Sequence, residues 1–414
     1  MLTKRFDYTL PKKLIAQKSI YPRDHSRLLV LKRENCHSCE SRNLKDKIDS
    51  HFHGNDILID DHFYNLGKYL KKGDVVVLNN TKVIPARLID NQGKEIFLLR
   101  SLNNDDSKWL VLTKYKVSSL VRFVDSTLVG RIDQKIIKFN LRGREFWKEV
   151  KKIGEVPTPP YVKSRKKYAK TKKDFYQTIF AKEKGSVAAP TAGFHFTQKL
   201  VNRLKKRGVK FVFITLHIGL GTFAPIRVER AEDHQMHAEW FELSKYTADI
   251  LNKAKKEGHR IIAVGTTATR VLESCAITPL SPITKPNYYL KEQSGETKIF
   301  IKPGYKFKFV DALITNFHLP YSTPLLLASA FVENNCHCEA AYPLCHCEPS
   351  KRSNLGIATA AFGSLATLLG LPRRPDCVGT PRNDTGIKIL LQAYREAIKN
   401  NYRFYSFGDA MLIL

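Results

Sequence analysis

The stretch GSVAAPTAGFHFT, residues 185–197, separates a strand-rich part of the chain from a part in which helices and strands alternate. It holds too much Gly, Pro and Ala for a strand interior and too many apolar side chains for an ordinary solvated loop. The spacing of Leu200 and Leu204 predicts a helix over 198–207, with Thr197 as its N-cap. The stretch therefore ends at a helix N-terminus, where backbone N–H groups suit an anionic group of a ligand. A tight buried turn without a ligand is the alternative.

The chain continues from this helix with alternating elements. A strand is predicted over KFVFITL (210–216), a helix over 244–256, a strand over RIIAV (260–264) and a further helix from Ala268. Helices over 323–331 and 387–399 follow. This alternation predicts an α/β fold with an at least partly parallel sheet, whose ligands bind beyond the carboxyl ends of the strands.

Short β-type runs separated by turn residues occupy residues 74–150 and predict a small barrel or sandwich. The runs are VVVL (75–78), RLI (87–89), EIFLL (95–99), WLVL (109–112) and KIIKF (135–139). We therefore predict three parts of the chain, which are the N-terminal part of the α/β body at 1–73, a β-barrel domain at 74–155 and the main body at 156–414.

The charge of the chain favours a polyanionic partner. Lys and Arg number 69 against 39 Asp and Glu, a formal net charge of +30, and nucleic acid is the usual partner of such an excess. A general bias towards Lys is the alternative. The run KSRKKYAKTKK (163–173) contains no acidic residue. Tyr168 lies within the run and Tyr161 lies just before it. Basic residues beside aromatic rings suit phosphate binding and base stacking. The run could equally be a solvated loop.

Targeting signals are not evident in the sequence. No run of about 18 apolar residues predicts a membrane span, and the N-terminus MLTKRFDY lacks the apolar core of a signal peptide. We therefore expect a cytoplasmic protein.

Seven of the eight cysteines lie in two stretches. CHSC (36–39) is in the first, and CHC (336–338) and CHC (345–347) are in the second. Zinc binding is one interpretation, but Cys-x-Cys is tighter than the usual ligand spacing. The segments CHSCESRNL and CHCEPSKRSNL also echo each other, which favours inserted sequence. We predict insertions at 35–56 and 334–386, and no metal site.

Four loops share one composition and are the candidate functional segments. They are PTAGFHF (190–196), HIGLGTF (217–223), GTTATR (265–270) and NFHLP (316–320). Their histidines can move protons near neutral pH, Phe rings can attract a cation, and Thr or Asn can bind a ribose. Each histidine could instead be structural. The pair Gly219 and Gly221 is only a weak dinucleotide signal. His234 and His237, with Glu239, could be metal ligands but are interpreted as a polar rim.

These segments together resemble one family, the S-adenosylmethionine:tRNA ribosyltransferase-isomerases of queuosine biosynthesis. The resemblance rests on the loops above and on further motifs, among them FDYTLP (6–11), NNTKVIPAR (79–87), the segment 234–241 and the segment 402–411. It implies an α/β/α sandwich body that carries a smaller inserted β-barrel. The two Cys-rich stretches depart from the family pattern, which supports their interpretation as insertions.

The resemblance also implies a reaction. The family transfers the ribosyl part of S-adenosylmethionine onto an aminomethyl-deazaguanine base in tRNA, which gives epoxyqueuosine and releases adenine and methionine. A base removes a proton from the carbon beside the sulfonium, adenine leaves, the amine of the tRNA base attacks, and closure of the epoxide expels methionine. The implied partners are S-adenosylmethionine as co-substrate and the anticodon stem-loop of tRNA, and a monomer is expected.

The resemblance supplies the candidate site residues. The proposed catalytic residues are His195, His217, His318 and Asp409, of which Asp409 would contact the amine. The proposed cofactor-binding residues are Thr191, Gly193, Phe196, Gly219, Gly221, Thr222, Gly265, Thr266, Thr267 and Asn316. The proposed tRNA- and substrate-binding residues are Arg87 for phosphate, Arg270 for carboxylate, and Lys163, Arg165, Lys166 and Lys167.

Two rival functions stay open at this point. A methyl-transferring tRNA enzyme would share the cofactor and the class of substrate, but it would release S-adenosylhomocysteine. An inactivated copy, or a non-catalytic tRNA-binding protein, would bind tRNA without consuming the cofactor. The insertions are the feature that favours this second rival.

Overall fold

The computed structural model describes residues 1–33, 56–115, 119–157, 159, 161–162, 175–219, 221, 225–278, 288–334 and 385–414. The two predicted insertions therefore lie almost entirely outside the described residues, and the basic run 163–173 lies entirely outside them. The clustered cysteines, for which zinc binding and inserted sequence are the two interpretations, also lie outside the described residues.

The described residues form nineteen strands and six α-helices. The strands are β1 (Arg27–Arg33), β2 (Asp56–His62), β3 (Val75–Asn79), β4 (Thr81–Val83), β5 (Arg87–Ile89), β6 (Glu95–Ser101), β7 (Lys108–Thr113), β8 (Ser119–Arg122), β9 (Val129–Asp133), β10 (Ile136–Phe139), β11 (Glu183–Ser186), β12 (Lys210–Leu216), β13 (Glu239–Leu243), β14 (Ile261–Val264), β15 (Ala276–Ile277), β16 (Tyr289–Leu290), β17 (Gln293–Thr297), β18 (Ala312–Asn316) and β19 (Ala410–Ile413). The helices are α1 (Gly143–Ile153), α2 (Gln198–Lys206), α3 (Lys245–Lys256), α4 (Gly265–Cys275), α5 (Thr323–Asn334) and α6 (Thr385–Lys399).

A nine-stranded sheet forms the centre of the body, in the order β17-β13-β12-β3-β14-β18-β19-β1-β2. Its middle strands β12, β3, β14 and β18 are parallel. Strand β19 runs antiparallel to β18, and β1 runs parallel to β19. The carboxyl ends of the four parallel strands and the beginnings of β19 and β1 therefore meet at one edge, which we call the carboxyl edge. Ligands of such sheets bind at this edge.

Helices cover both faces of this sheet. In β3, Val75 and Val77 belong to one core and Val76 and Leu78 to the other, because successive side chains point to opposite faces. The first core also holds buried residues of α3, α4, α5 and α6, and the second holds those of α2. This arrangement confirms the predicted α/β/α body.

The predicted helices are present, with small changes at their ends. Thr197 caps α2, since its Oγ1 accepts a hydrogen bond from the N–H of Leu200 at 3.2 Å. Thr197 Oγ1 also donates to Asp24 Oδ2 at 2.7 Å. A carboxylate of the chain itself thus lies at this N-terminus, where the sequence predicted an anionic group of a ligand. Helix α4 begins at Gly265 rather than Ala268, directly after β14.

A second sheet has six antiparallel strands in the order β5-β6-β7-β10-β9-β8. Its core contains Trp109 and Phe146, the latter from α1. The N–H of Asn91, just after β5, donates to the carbonyl of Arg122 at the end of β8 at 2.9 Å, so the outer strands meet at one end and the sheet curls like a barrel. One strand assignment was wrong, because β3, predicted as part of the barrel, lies in the central sheet. The division into three domains stays a prediction.

No helix among the described residues is long and apolar enough to cross a membrane.

Candidate functional site

A cavity of about 140 Å³ opens at the carboxyl edge of the central sheet. All four predicted loops contribute to its lining, through Thr191, Ile218, Gly265 and Asn316 among other residues. Three tyrosines, which are Tyr161, Tyr176 and Tyr405, line it as well. None of its described lining residues is Asp, Glu, Lys or Arg, so the cavity combines aromatic rings with uncharged hydrogen-bonding groups.

Asn316, the last residue of β18, is the most highly connected polar group of this cavity. Its Nδ2 lies 3.1 Å from His195 Nε2 and donates to the carbonyl of Tyr405 at 3.3 Å. Its Oδ1 accepts a hydrogen bond from Thr191 Oγ1 at 3.3 Å. These contacts fix the plane of the amide and therefore the positions of its donor and acceptor.

His195 lies behind Asn316 and outside the lining of the cavity. Its Nδ1 lies 2.7 Å from Ser26 Oγ, and its ring is 3% exposed. Burial lowers the pKa of His195 to about 4, so the ring is neutral near pH 7. Since Nε2 faces an amide N–H donor, Nδ1 carries the proton and donates to Ser26. The ring of His195 therefore contacts the amide of Asn316 from the side away from the cavity.

His318 is the predicted histidine that lines the cavity. Its Nε2 lies 3.0 Å from Thr315 Oγ1, and its main-chain N–H donates to the hydroxyl of Tyr394 at 3.1 Å. Its carbonyl accepts a hydrogen bond from the hydroxyl of Tyr8. Burial lowers the pKa of His318 to about 3, which keeps the ring unprotonated at neutral pH.

His217, which follows β12, does not line this cavity but a separate groove. Its Nδ1 lies 2.7 Å from Thr81 Oγ1, and its ring stacks on Trp240 at 5.0 Å between centroids. Burial lowers the pKa of His217 to about 4. It lines a wide groove beside the second sheet. The loops with the three histidines thus meet at the carboxyl edge, but the three rings do not converge on one point.

A smaller pocket adjoins the cavity and contains Arg270. Thr266 and Thr267 line both spaces. Arg270 forms an ion pair with Glu239, whose Oε1 accepts a hydrogen bond from the N–H of Gly219 at 3.0 Å. Glu239, predicted as part of a polar rim, is therefore a buried partner of the arginine.

One further predicted residue, Gly221, belongs to this neighbourhood. Gly221 lines the small pocket and the groove, and a Cβ there would lie 2.2 Å from Cδ2 of His237. Thr222 lies outside the described residues.

Several predicted site residues lie elsewhere. Phe196 is fully buried in the core between the sheet and α2, and Gly193 packs against Thr178. Asp409 accepts hydrogen bonds from the guanidinium of Arg403 at 2.7 Å and from main-chain N–H groups. Arg87 pairs with both Glu95 and Glu155. Each of these residues is held by contacts within the chain, and its role at the site stays a prediction. Lys163, Arg165, Lys166 and Lys167 lie outside the described residues.

Sequence reasoning missed three site residues. Tyr405, whose ring centroid lies 4.4 Å from that of Tyr161, was not assigned a role. Neither was Ser26 behind His195, nor Thr81 beside His217. Tyr405 lies in the dense aromatic segment YRFYSF (402–407) and Thr81 in the motif NNTKVIPAR (79–87), so both positions carried a signal. Ser26 stands in a segment with no comparable signal.

Within the described ranges, no three His, Cys, Asp or Glu side chains are grouped so that they could hold a metal ion. His234 and His237 line the small pocket with Arg270.

The sequence profile of the family described as queuosine biosynthesis protein matches residues 3–344 and 385–413. The chain is a member of this family. The stretch that the match leaves out, 345–384, lies within the second predicted insertion.

Relatives in this family match along the whole chain. The S-adenosylmethionine:tRNA ribosyltransferase-isomerase of Halothermothrix orenii is 38% identical over 429 residues, which cover 100% of both proteins. The protein of the same name from Clostridium kluyveri is 39% identical over 422 residues, 99% of this chain and 98% of the relative. The crystal structure of the S-adenosylmethionine tRNA ribosyltransferase from Thermotoga maritima is 29% identical and covers 99% of this chain and 100% of its own, with a TM-score of 0.46.

Proposed function

We propose that the protein transfers the ribosyl moiety of S-adenosylmethionine to the aminomethyl-deazaguanine base of tRNA and isomerises it, with release of adenine and methionine. Full-length relatives carry the name of this activity. The structural observation that carries the proposal is the meeting of the family-like loops at one uncharged cavity with aromatic walls.

The cavity suits the chemistry of a sulfonium co-substrate. A sulfonium cation is attracted by the faces of aromatic rings, and Tyr161, Tyr176 and Tyr405 line the cavity without a competing cation among its described lining residues. Asn316 and Thr191 offer an amide and a hydroxyl to the ribose. An uncharged aromatic site also leaves the positive charge on sulfur to acidify the adjacent C–H, which is the bond that has to break first.

The co-substrate is expected to extend into the neighbouring pocket. Sites for ligands of this size have volumes of about 300–1,000 Å³, which is larger than the cavity alone. The two spaces meet at Thr266 and Thr267, and the buried Thr267 Oγ1 has no hydrogen-bond partner among the described residues. We place the methionine part of the co-substrate in this pocket, where Arg270 and Glu239 complement its carboxylate and ammonium groups.

We assign the proton transfer to His318. It is the histidine of the three that lines the cavity, and its lowered pKa leaves the ring available as an acceptor at neutral pH. A pKa of about 3 also makes it a weak base, so the step depends on the acidifying effect of the sulfonium. His195 acts through Asn316 and does not itself accept the proton.

The partner and the setting are part of the proposal. We propose that the anticodon stem-loop of tRNA presents the acceptor base, that the enzyme works as a monomer, and that it acts in the cytoplasm, where tRNA is modified. Light scattering of the purified protein, alone and with tRNA, tests the monomer.

One reaction tests the proposed activity. Purified protein is incubated with S-adenosylmethionine and tRNA that carries the aminomethyl-deazaguanine base, and free adenine, methionine and S-adenosylhomocysteine are measured. Adenine and methionine in equal amounts are the expected result. Release of S-adenosylhomocysteine would indicate methyl transfer instead. Intact binding of tRNA without any product would indicate an inactivated copy.

A further inference from the structure

A wide groove of about 1230 Å³ lies between the second sheet and the carboxyl edge of the body. All three tryptophans of the chain line it, although they come from distant parts of the sequence. Trp109, from the second sheet, is buried in the core of that sheet, whereas Trp147 of α1 and Trp240 of β13 are partly exposed. Partly exposed tryptophans in one groove are typical of a binding surface, since these side chains are large and rigid.

Two lysines of the groove are without an ion-pair partner among the described residues. Lys135 and Lys184 are exposed, and in the described part of the chain neither has a carboxylate within ion-pair distance. Lys184 Nζ instead lies 5.5 Å from the ring centroid of Trp147.

The carboxylates of the groove are already engaged. Glu239 pairs with Arg270, Glu296 with Arg100, and Glu183 with Lys182 at 3.4 Å. Asp106 Oδ2 accepts a hydrogen bond from the indole of Trp147 at 2.6 Å. The groove therefore offers cations beside aromatic rings, which is the combination that binds phosphates and unpaired bases.

The groove also communicates with the cavity. His217 and Gly219 line the groove, whereas Ile218 between them lines the cavity. The pocket at Arg270 shares Gly221 with the groove and Thr266 with the cavity. A base that enters the groove beside Trp240 therefore lies across the segment 217–219 from the cavity, and the pocket adjoins both spaces.

We propose that this groove binds the single-stranded loop of the RNA substrate, with phosphates on Lys135 and Lys184 and a base against the stacked pair of Trp240 and His217. A loop fits better than a duplex, because only unpaired bases can stack on aromatic side chains. The inference rests on the proposed function in taking the RNA to be tRNA. It adds the surface, the part of the RNA and the residues.

The test uses a fluorescently labelled hairpin RNA with the sequence of the anticodon stem-loop and the full-length protein. The variant Lys135→Glu/Lys184→Glu should bind this hairpin roughly tenfold more weakly, and the slope of log K against log salt should fall by about 1.4, since each contact to a single strand contributes about 0.7. A fully paired RNA of the same length should bind the wild type more weakly than the hairpin.

Matched controls separate the groove from general electrostatics. The variant Lys206→Glu/Lys256→Glu has the same change in net charge, but both lysines are exposed near the ends of α2 and α3, at the opposite edge of the sheet. It should keep the slope of the wild type. Equal losses in the two double variants, or no loss in either, would overturn the proposal.

The stacking contact has its own test. Trp240→Ala should weaken hairpin binding by roughly tenfold, whereas Trp240→Phe, which keeps an aromatic face, should retain most of the affinity. Equal binding of the hairpin by Trp240→Ala and the wild type would contradict this contact.

The test distinguishes this inference from the proposed activity. If the wild type releases adenine but the groove variants bind and turn over normally, the activity stands and the groove is the wrong surface. If the groove variants lose hairpin binding but the wild type releases no adenine, the surface stands and the activity fails.

Discussion

The side chains of His195 and Asn316 form a buried pair, with 3.1 Å between Nε2 and Nδ2. The pair links the segment before α2 to the end of β18, and Ser26 extends it to the start of β1 at 2.7 Å. Three separate parts of the chain thus hold one amide in place at the wall of the cavity. The role of His195 follows from this link, because the ring reaches the cavity only through Asn316.

This relationship predicts different outcomes for two substitutions of His195. His195→Phe keeps a ring but removes both hydrogen bonds, so the amide of Asn316 can turn and kcat should fall by about 10- to 100-fold, the size of effect that a displacement of about 1 Å produces. His195→Gln supplies an acceptor near the position of Nε2 and should restore most of the activity. Steady-state kinetics measures both.

The same pair of variants separates positioning from proton transfer. A glutamine cannot act as a base, so equal loss of kcat in His195→Gln and His195→Phe would show that His195 moves the proton itself. Thermal unfolding of each variant shows whether any loss reflects the fold, and binding of S-adenosylmethionine shows whether the loss lies in KM.

The second prediction concerns a substitution of Gly185. The backbone of this residue has a φ of +149, and a Cβ on it would lie 2.5 Å from His217 Nε2. Gly185→Ala should displace the ring of His217 and destabilise the protein by about 1–3 kcal/mol through overpacking, in addition to backbone strain. Urea unfolding measures this change.

Gly295→Ala is the matched control for this substitution. Gly295 has a similar φ of +156, but nothing lies within 4 Å of the place where its Cβ would be. The difference in the free energy of unfolding between the two variants therefore isolates the contact with His217. Equal losses would mean that the backbone alone is responsible and that the histidine is mobile.

The sequence was sufficient to predict the convergence of the loops but not the directions of their side chains. Residues 265–270 and 316–320 follow strands of an alternating pattern, and the carboxyl ends of parallel strands meet at one edge. The orientation of His195 depends on Ser26, which is 169 positions away. No local spacing contains that information, so three histidines in similar loops could not be told apart.

Arg87 and Phe196 also show that a motif does not determine where a side chain points. Arg87 stands in a family-like motif, yet its partner Glu155 is 68 positions away. Phe196 shares its loop with His195, but its ring packs against Phe63 in the core. A residue type in a motif indicates what chemistry is available, whereas burial and distant partners decide whether the residue meets a ligand.

The buried histidines predict how stability depends on pH. Burial lowers the pKa values of His195, His217 and His318 to about 4, 4 and 3, compared with about 6.5 in an unfolded chain. Between these values the unfolded chain binds more protons than the folded one. The stabilisation from these rings is therefore complete above about pH 6.5 and is lost as the pH falls towards 4.

Removal of one ring should weaken this dependence by a measurable amount. In His318→Asn the free energy of unfolding should fall less steeply between pH 6 and pH 4.5, by up to about 1.4 kcal/mol per pH unit relative to the wild type. Urea titrations at several pH values measure the slope. An unchanged slope in His318→Asn would mean that His318 is protonated alike in the folded and unfolded protein, and would remove the argument that burial keeps it available as a proton acceptor.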